Sequence, residues 1–179
     1  MILDPRNDGV DHINVYSKGV TELGKMLTNF SKHRFMVHGY EFDSLEAWWY
    51  WELLREVGVI DRWNNGELAP DASSDLLMLR WTYGANAKRI GTKLTAGYIG
   101  QRGAPSAEFR KRYAEAAAVR LQTDLRLIRL LRESKLPLVH YYWYGRADKL
   151  KVVQDLKHQW VLEIWTEFRK QLQDELNSN

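Results

Sequence analysis

The chain has 179 residues and no cysteine, with 26 Lys or Arg against 23 Asp or Glu for a net charge of +3. A chain this long buries about 70% of its unfolded surface, enough for one core, and the missing cysteines exclude disulfides, thiolate metal sites and a cysteine nucleophile. The composition suits a reducing cytoplasmic setting.

The longest uncharged aromatic run, Leu136 to Gly145, is far too short to cross a bilayer. Met1 to Arg6 shows no basic region followed by an apolar stretch, so no secretory signal is expected. No membrane partner is expected.

In chain order, residues 1–12 read as a polar arm and 13–179 as a single domain. Ile13-Asn14-Val15-Tyr16 alternates and is β-branched, which predicts a short strand. Leu27 to Phe30 closes a glycine-containing loop or short helix. Arg34 to His38 predicts a second strand, turned at Gly39. A helix then starts at Asp43 or Ser44 and runs to about Val57, where Gly58 stops it. Asn64-Asn65-Gly66, Pro70 and Asp71-Ala72-Ser73-Ser74 read as a surface loop. Short helices follow at Leu76–Trp81 and Ala85–Leu94.

Gly97, Gly100 and Gly103 break the chain before Pro105-Ser106 offers a helix start. That helix covers about Ala107 to Leu121, with Phe109, Tyr113, Ala117 and Leu121 at spacing four. Thr123-Asp124 recaps a helix through Arg132. Leu136 to Tyr144 reads as an aromatic strand. A last helix, about Asp155 to Leu176, carries Trp160, Ile164, Phe168, Leu172 and Leu176 as one apolar stripe. The expected class is α+β and helix-rich, with a small N-terminal sheet packed by helices.

Charge is uneven along this plan. From Arg80 to Arg132 there are twelve Lys or Arg and three Asp or Glu, and the rest of the chain is net acidic. Such a segment holds phosphates or nucleic acid, or it is the solvated face of a long arginine-rich helix. Two aromatic blocks, Trp48-Trp49-Tyr50-Trp51 and Tyr141-Tyr142-Trp143-Tyr144, hold eight of the 22 aromatics. Four adjacent rings on a helix point in every direction. Some therefore build a core, and others line a cleft where flat rings stack on bases.

Glu46 precedes the first block by two residues and admits two readings. Asp43-x-x-Glu46 fits a capping box in which Glu46 reaches back to the Asp43 amide. The other reading is a carboxylate beside aromatic walls, its pKa tuned by burial for acid/base work. Gly84-x6-Gly91-Thr92-Lys93 has the wrong spacing for a phosphate-binding loop. The five histidines show no metal-ligand spacing, and no Gly-x-Ser-x-Gly elbow exists. Neither a metal nor an organic cofactor is expected.

Ile13-Asn14-x-Tyr16-Ser17, Gly24, Asn29-Phe30, Val37-x-Gly39 and Phe42-x-Ser44-x-Glu46 together resemble the NADAR family in order and spacing. Ala87-Lys88-Arg89-Ile90-Gly91 is similar to that family's Ala-x-x-Met/Leu-Gly segment. Tyr144-Gly145 stands where the family has Trp-Gly, and Gln159, ten residues before Arg169, stands where its final helix begins. The resemblance implies an α+β N-glycosidase. Members cleave a riboflavin-pathway intermediate or remove ADP-ribose from modified guanine in DNA or related nucleotides. Some are counter-defence factors of bacterial viruses.

By the same resemblance Glu46 is the catalytic glutamate, Asn29 and Ser17 lie near the ribose, and Gly39 shapes the turn beneath it. Three departures stand out. Tyr50-Trp51-Glu52-Leu53 replaces the family's Gln-Ala-x-Lys, and Tyr141 replaces its acidic residue, Asp148 being the nearest acid. Phe109 substitutes for a tryptophan that would fall near Pro105.

Two functions of different class follow. In the first, Glu46 activates water for cleavage of a ribose C1′–N bond through an oxocarbenium-like transition state. Asn29 then hydrogen-bonds the ribose. Trp49, Tyr141 and Trp143 sandwich the base, and Lys18, Lys88 and Arg89 neutralise the diphosphate. In the second, the chain is a degenerate binder that sequesters an ADP-ribose-type nucleotide or docks on modified nucleic acid. A purely structural interaction module is a third reading.

Overall fold

The structure is a computed structural model and describes residues 3–98, 105–145 and 149–178. Among these residues the helices are α1 (Glu22–Leu27), α2 (Leu45–Glu56), α3 (Val59–Asn64), α4 (Pro70–Arg80), α5 (Gly84–Tyr98), α6 (Ala107–Gln122), α7 (Leu125–Glu133) and α8 (Gln159–Asn177). Short strands are β1 (Ile13–Asn14), β2 (Phe35–Val37), β3 (Tyr40–Phe42), β4 (Leu138–Val139), β5 (Tyr141–Tyr144) and β6 (Lys151–Gln154). They form three separate two-stranded sheets, which makes the class α+β and helix-rich. Gly100, Gly103 and Asp148 lie outside the described residues.

The chain makes two compact units, one from the stretch up to Thr28 together with Asp124 onward, the other from Asn29 to Thr123. In the first unit β1 pairs in parallel with β4, Ile13 opposite Leu138. Asn14 extends this pairing with its side chain. Its Nδ2 donates to the Tyr141 carbonyl and its Oδ1 accepts the Tyr141 N–H, both at 3.2 Å. β5 and β6 form an antiparallel hairpin with Tyr142 opposite Val153. Asp124 caps α7 by accepting the Leu127 N–H at 3.0 Å, and Leu127 and Leu131 are the buried positions of that helix.

In the second unit β2 and β3 are joined by His38-Gly39, both at positive φ, in a two-residue turn. Glycine adopts that conformation freely and His38 does so at some strain. Ser106 caps α6 by accepting the Phe109 N–H at 3.0 Å, and Phe109, Tyr113, Ala116, Ala117 and Leu121 are buried along it. The spacing-four stripe was thus the right face.

Several expectations change. Pro70 to Ser74 is the first turn and a half of α4, not a loop, because Pro70 sits at N1, where its missing N–H costs nothing. Strands β3 and β6 were not expected. In α8 the buried residues are Trp160, Leu162 and Trp165, while Leu176 is 62% exposed, so the apolar stripe ends early. The basic segment is not one long helix but runs through α5, α6 and α7, with Arg120 fully buried. Among the described residues no helix is long and apolar enough to cross a membrane.

Candidate functional site

The second unit centres on α2. Ser44 is its cap: the hydroxyl accepts the Ala47 N–H at 3.1 Å and donates to the Thr82 carbonyl at 3.0 Å. This overturns the capping box read from Asp43 and Glu46. Asp43 lies one residue outside the helix, and its carboxylate accepts from Arg34 Nε at 2.8 Å. Its own N–H donates to the Arg80 carbonyl. With Ser44 as cap, Glu46 stands at the second helical position, one short of where a capping-box glutamate belongs.

The Glu46 carboxylate is therefore released from any capping duty. It is 9% exposed, and among the described residues no side chain or backbone group hydrogen-bonds it. Burial pushes its pKa from 4.5 up to about 7, against the opposing pull of Lys88. Desolvation dominates because Lys88 itself is exposed and well hydrated. The result is an acid that changes charge near neutrality.

What surrounds Glu46 comes from three directions. Its backbone N–H donates to the Asn29 carbonyl at 2.9 Å, and the Asn29 Oδ1 accepts the Tyr113 hydroxyl at 2.7 Å. With Oδ1 occupied, Asn29 keeps its amide NH2 as a donor. On the α5 side Tyr50 donates to or accepts from Thr92 at 3.2 Å, and its ring lies so close to Gly91 that a Cβ there would meet Tyr50 Cγ at 2.1 Å. Only glycine lets α2 and α5 pack this closely. Burial raises the Tyr50 pKa, and the Glu46 charge adds to that rise.

The first aromatic block divides as its helical spacing requires. Trp48 and Trp51 are buried, each worth several kcal/mol at about 25 cal/mol per Å². Trp49 and Tyr50 are half-buried. Trp49 meets Phe109 edge-on at 4.8 Å and Tyr113 at 5.8 Å. Phe109 thus does stand beside this block.

Other expected residues lie elsewhere. Lys88 and Arg89 are exposed on α5, and of the two only Lys88 acts on Glu46. Gly39 sits in the exposed β2–β3 turn. Ser17, Lys18, Tyr141, Trp143 and Gln159 all belong to the first unit, where Ser17, Lys18 and Gln159 are exposed and Trp143 is 39% exposed. Tyr141 is fully buried, its hydroxyl 2.7 Å from His12 Nε2. That ring is core and offers no face for stacking, which corrects its assignment to a ligand.

Three residues escaped the sequence reading. Tyr113 was legible as part of an apolar stripe, but its hydroxyl's reach to Asn29 was not. Tyr50 read only as one ring of four. Glu52, fully buried, is gripped by Arg55 Nε at 2.9 Å and Arg112 Nε at 2.6 Å. It lies with Trp48, Trp51 and His38 against a cavity of about 40 Å³, room for a water or two and not for a nucleotide. Glu46 does not line that cavity. Among the described residues no cluster of His, Asp and Glu could hold a metal ion.

Compared with known proteins, the chain matches no family model, no curated protein and no solved structure.

Proposed function

We propose that this chain is an N-glycosidase of the NADAR type, which hydrolyses the ribose C1′–N bond of an ADP-ribose-type nucleotide or ADP-ribosylated base. One observation carries the reading: a nearly buried carboxylate that, among the described residues, has no cap or ion-pair partner, and whose burial pushes its pKa up to about 7. Burying an unpaired carboxylate costs stability, and groups shifted in this way cluster at functional sites.

In this reading, ionised Glu46 accepts a proton from water as the water oxygen bonds to C1′ and the C1′–N bond breaks. The leaving nitrogen takes up the proton, and the negative charge offsets the oxocarbenium character that develops at the sugar. Asn29 offers its remaining NH2 to a ribose hydroxyl. Lys88, exposed yet felt at Glu46, would then meet a phosphate, and the half-buried Trp49 the base. The NADAR-like fold and a cytoplasmic, nucleotide-rich setting belong to the same proposal.

Mass spectrometry tests it: the protein is incubated with NAD, ADP-ribose adducts and ADP-ribosylated DNA, and released ADP-ribose is sought. Release by wild type supports the reading. Tight binding without release assigns the chain instead to the degenerate binders. That second reading draws on Glu52, the other buried acid of α2, being locked between two arginines and unable to serve as a second catalytic carboxylate.

A further inference from the structure

Large aromatics normally bury, but the link from α4 to α5 leaves two of them open: Trp81 is 42% exposed and Tyr83 47%. Each ring carries a cation from the stretch before β2. The Arg34 guanidinium lies 5.1 Å from the Trp81 centroid, and Lys32 Nζ lies 5.2 Å from that of Tyr83. A third cation, Arg80, sits 5.4 Å from Trp81 and is held from behind by the rings of Tyr40 and Trp51 at 5.3 and 5.5 Å. Arg34 is fixed by buried Asp43 at 2.8 Å, and Arg80 by the Glu41 carbonyl at 3.1 Å. Arg34 and Arg80 are thus preset, while exposed Lys32 rests over the Tyr83 ring.

No acid occurs within the two segments that build this ledge, from Asn29 to Tyr40 and from Leu76 to Ala107. The acids beside it are Asp43, which pairs with Arg34, and Glu41, which stands across from Met36 and also acts on Arg34. The outward positions of β2 continue the surface, with exposed Met36 two residues beyond Arg34. Positive charge and flat rings are therefore presented together over one patch, all within the second unit.

We propose that the Trp81–Tyr83 ledge binds single-stranded nucleic acid. A partner must supply repeated negative charge and flat faces at once. An unpaired strand does so, because phosphates meet Lys32, Arg34 and Arg80 while bases stack on the open rings and on the outer face of the Arg34 guanidinium. A duplex hides its base faces, and an acidic peptide has none to stack. The inference stands apart from Glu46, since it concerns binding of unmodified strands and not turnover.

The test is fluorescence anisotropy of a labelled oligothymidylate titrated with the full chain, beside a duplex of equal length and polyglutamate. Expected are a clear preference for the single strand, weakening with salt, and a loss of about 10-fold in affinity for each of Trp81→Ala and Tyr83→Ala. Trp81→Phe, which keeps a stacking ring, should retain most of the binding and guards against misfolding of the alanine variant. Lys32→Gln should shallow the salt slope by about one counterion. Equal affinity for all three polyanions, no binding at low salt, or Trp81→Ala and Tyr83→Ala variants that bind like wild type would each overturn the proposal.

Discussion

The N–H of Glu46 donates to the carbonyl of Asn29 at 2.9 Å, which ties the second turn-forming residue of α2 to the segment that precedes β2. The same Asn29 receives the Tyr113 hydroxyl from α6. Three elements are thereby fixed around one carboxylate that, among the described residues, accepts no hydrogen bond. That arrangement sets most of what can be measured here.

Burial moves the Glu46 carboxyl from 4.5 up to about 7. The unfolded chain ionises it near 4.5, so between those values the folded protein holds a proton that the unfolded chain has released. Stability from this group is fullest below about pH 4.5 and falls as pH rises to about 7, by roughly 3 kcal/mol. Glu46→Gln lacks that loss. Urea unfolding curves should show the variant gaining on wild type across this window, whereas a constant difference would mean an ordinary carboxyl.

Lys88 is the charge that holds the Glu46 pKa down, so Lys88→Gln should raise it further. The carboxyl resonance of Glu46, followed by NMR, reports this directly. Arg89→Gln, one residue on, should leave the titration where it is. If Lys88 also meets a diphosphate, its loss should weaken ADP-ribose binding about 10- to 100-fold, in line with about 1.5–3 kcal/mol for a charged hydrogen bond. Calorimetry would detect that change.

Gly91→Ala should destabilise the protein by at least about 2 kcal/mol, since the new methyl would overlap the Tyr50 ring attached to α2. Gly97→Ala on the same helix meets nothing within 4 Å and should be neutral or mildly stabilising. Thermal unfolding of the pair separates close packing from simple helix propensity.

Ser44→Ala should cost about 1–2 kcal/mol, the upper part of the range for a lost cap, because the Thr82 carbonyl loses its donor as well. Asp43→Ala should leave the helix start intact and act only through Arg34, which remains 58% exposed. Similar losses in both variants would restore the capping role to Asp43.

How far these features could be read in advance depended on whether their cause was local. Ser106 before α6 and Asp124 before α7 announce helix starts through their own side chains, and both were legible. Tyr40–Phe42 and Lys151–Gln154 become strands only by pairing with β2 and β5, and three or four residues carry too little periodicity to show it. Asp43 and Ser44 are both good caps, and only the contact to Thr82 selects Ser44. Trp165 lies off the spacing-four stripe of α8, yet it is fully buried. Glu46 itself was visible as a candidate. Its release from capping was not, because that depends on where a neighbouring hydroxyl points.

In the proposed function, Glu46 is the base for cleavage of a ribose C1′–N bond. Wild type and Glu46→Gln should be compared with the same ADP-ribosylated ligand at saturating concentration, and released ADP-ribose followed by mass spectrometry. The account predicts release by wild type, and by the Gln variant full binding with release at least about 100-fold slower, as befits loss of a general base. Equal release by both proteins, or a bound ligand that wild type never cleaves, would contradict it.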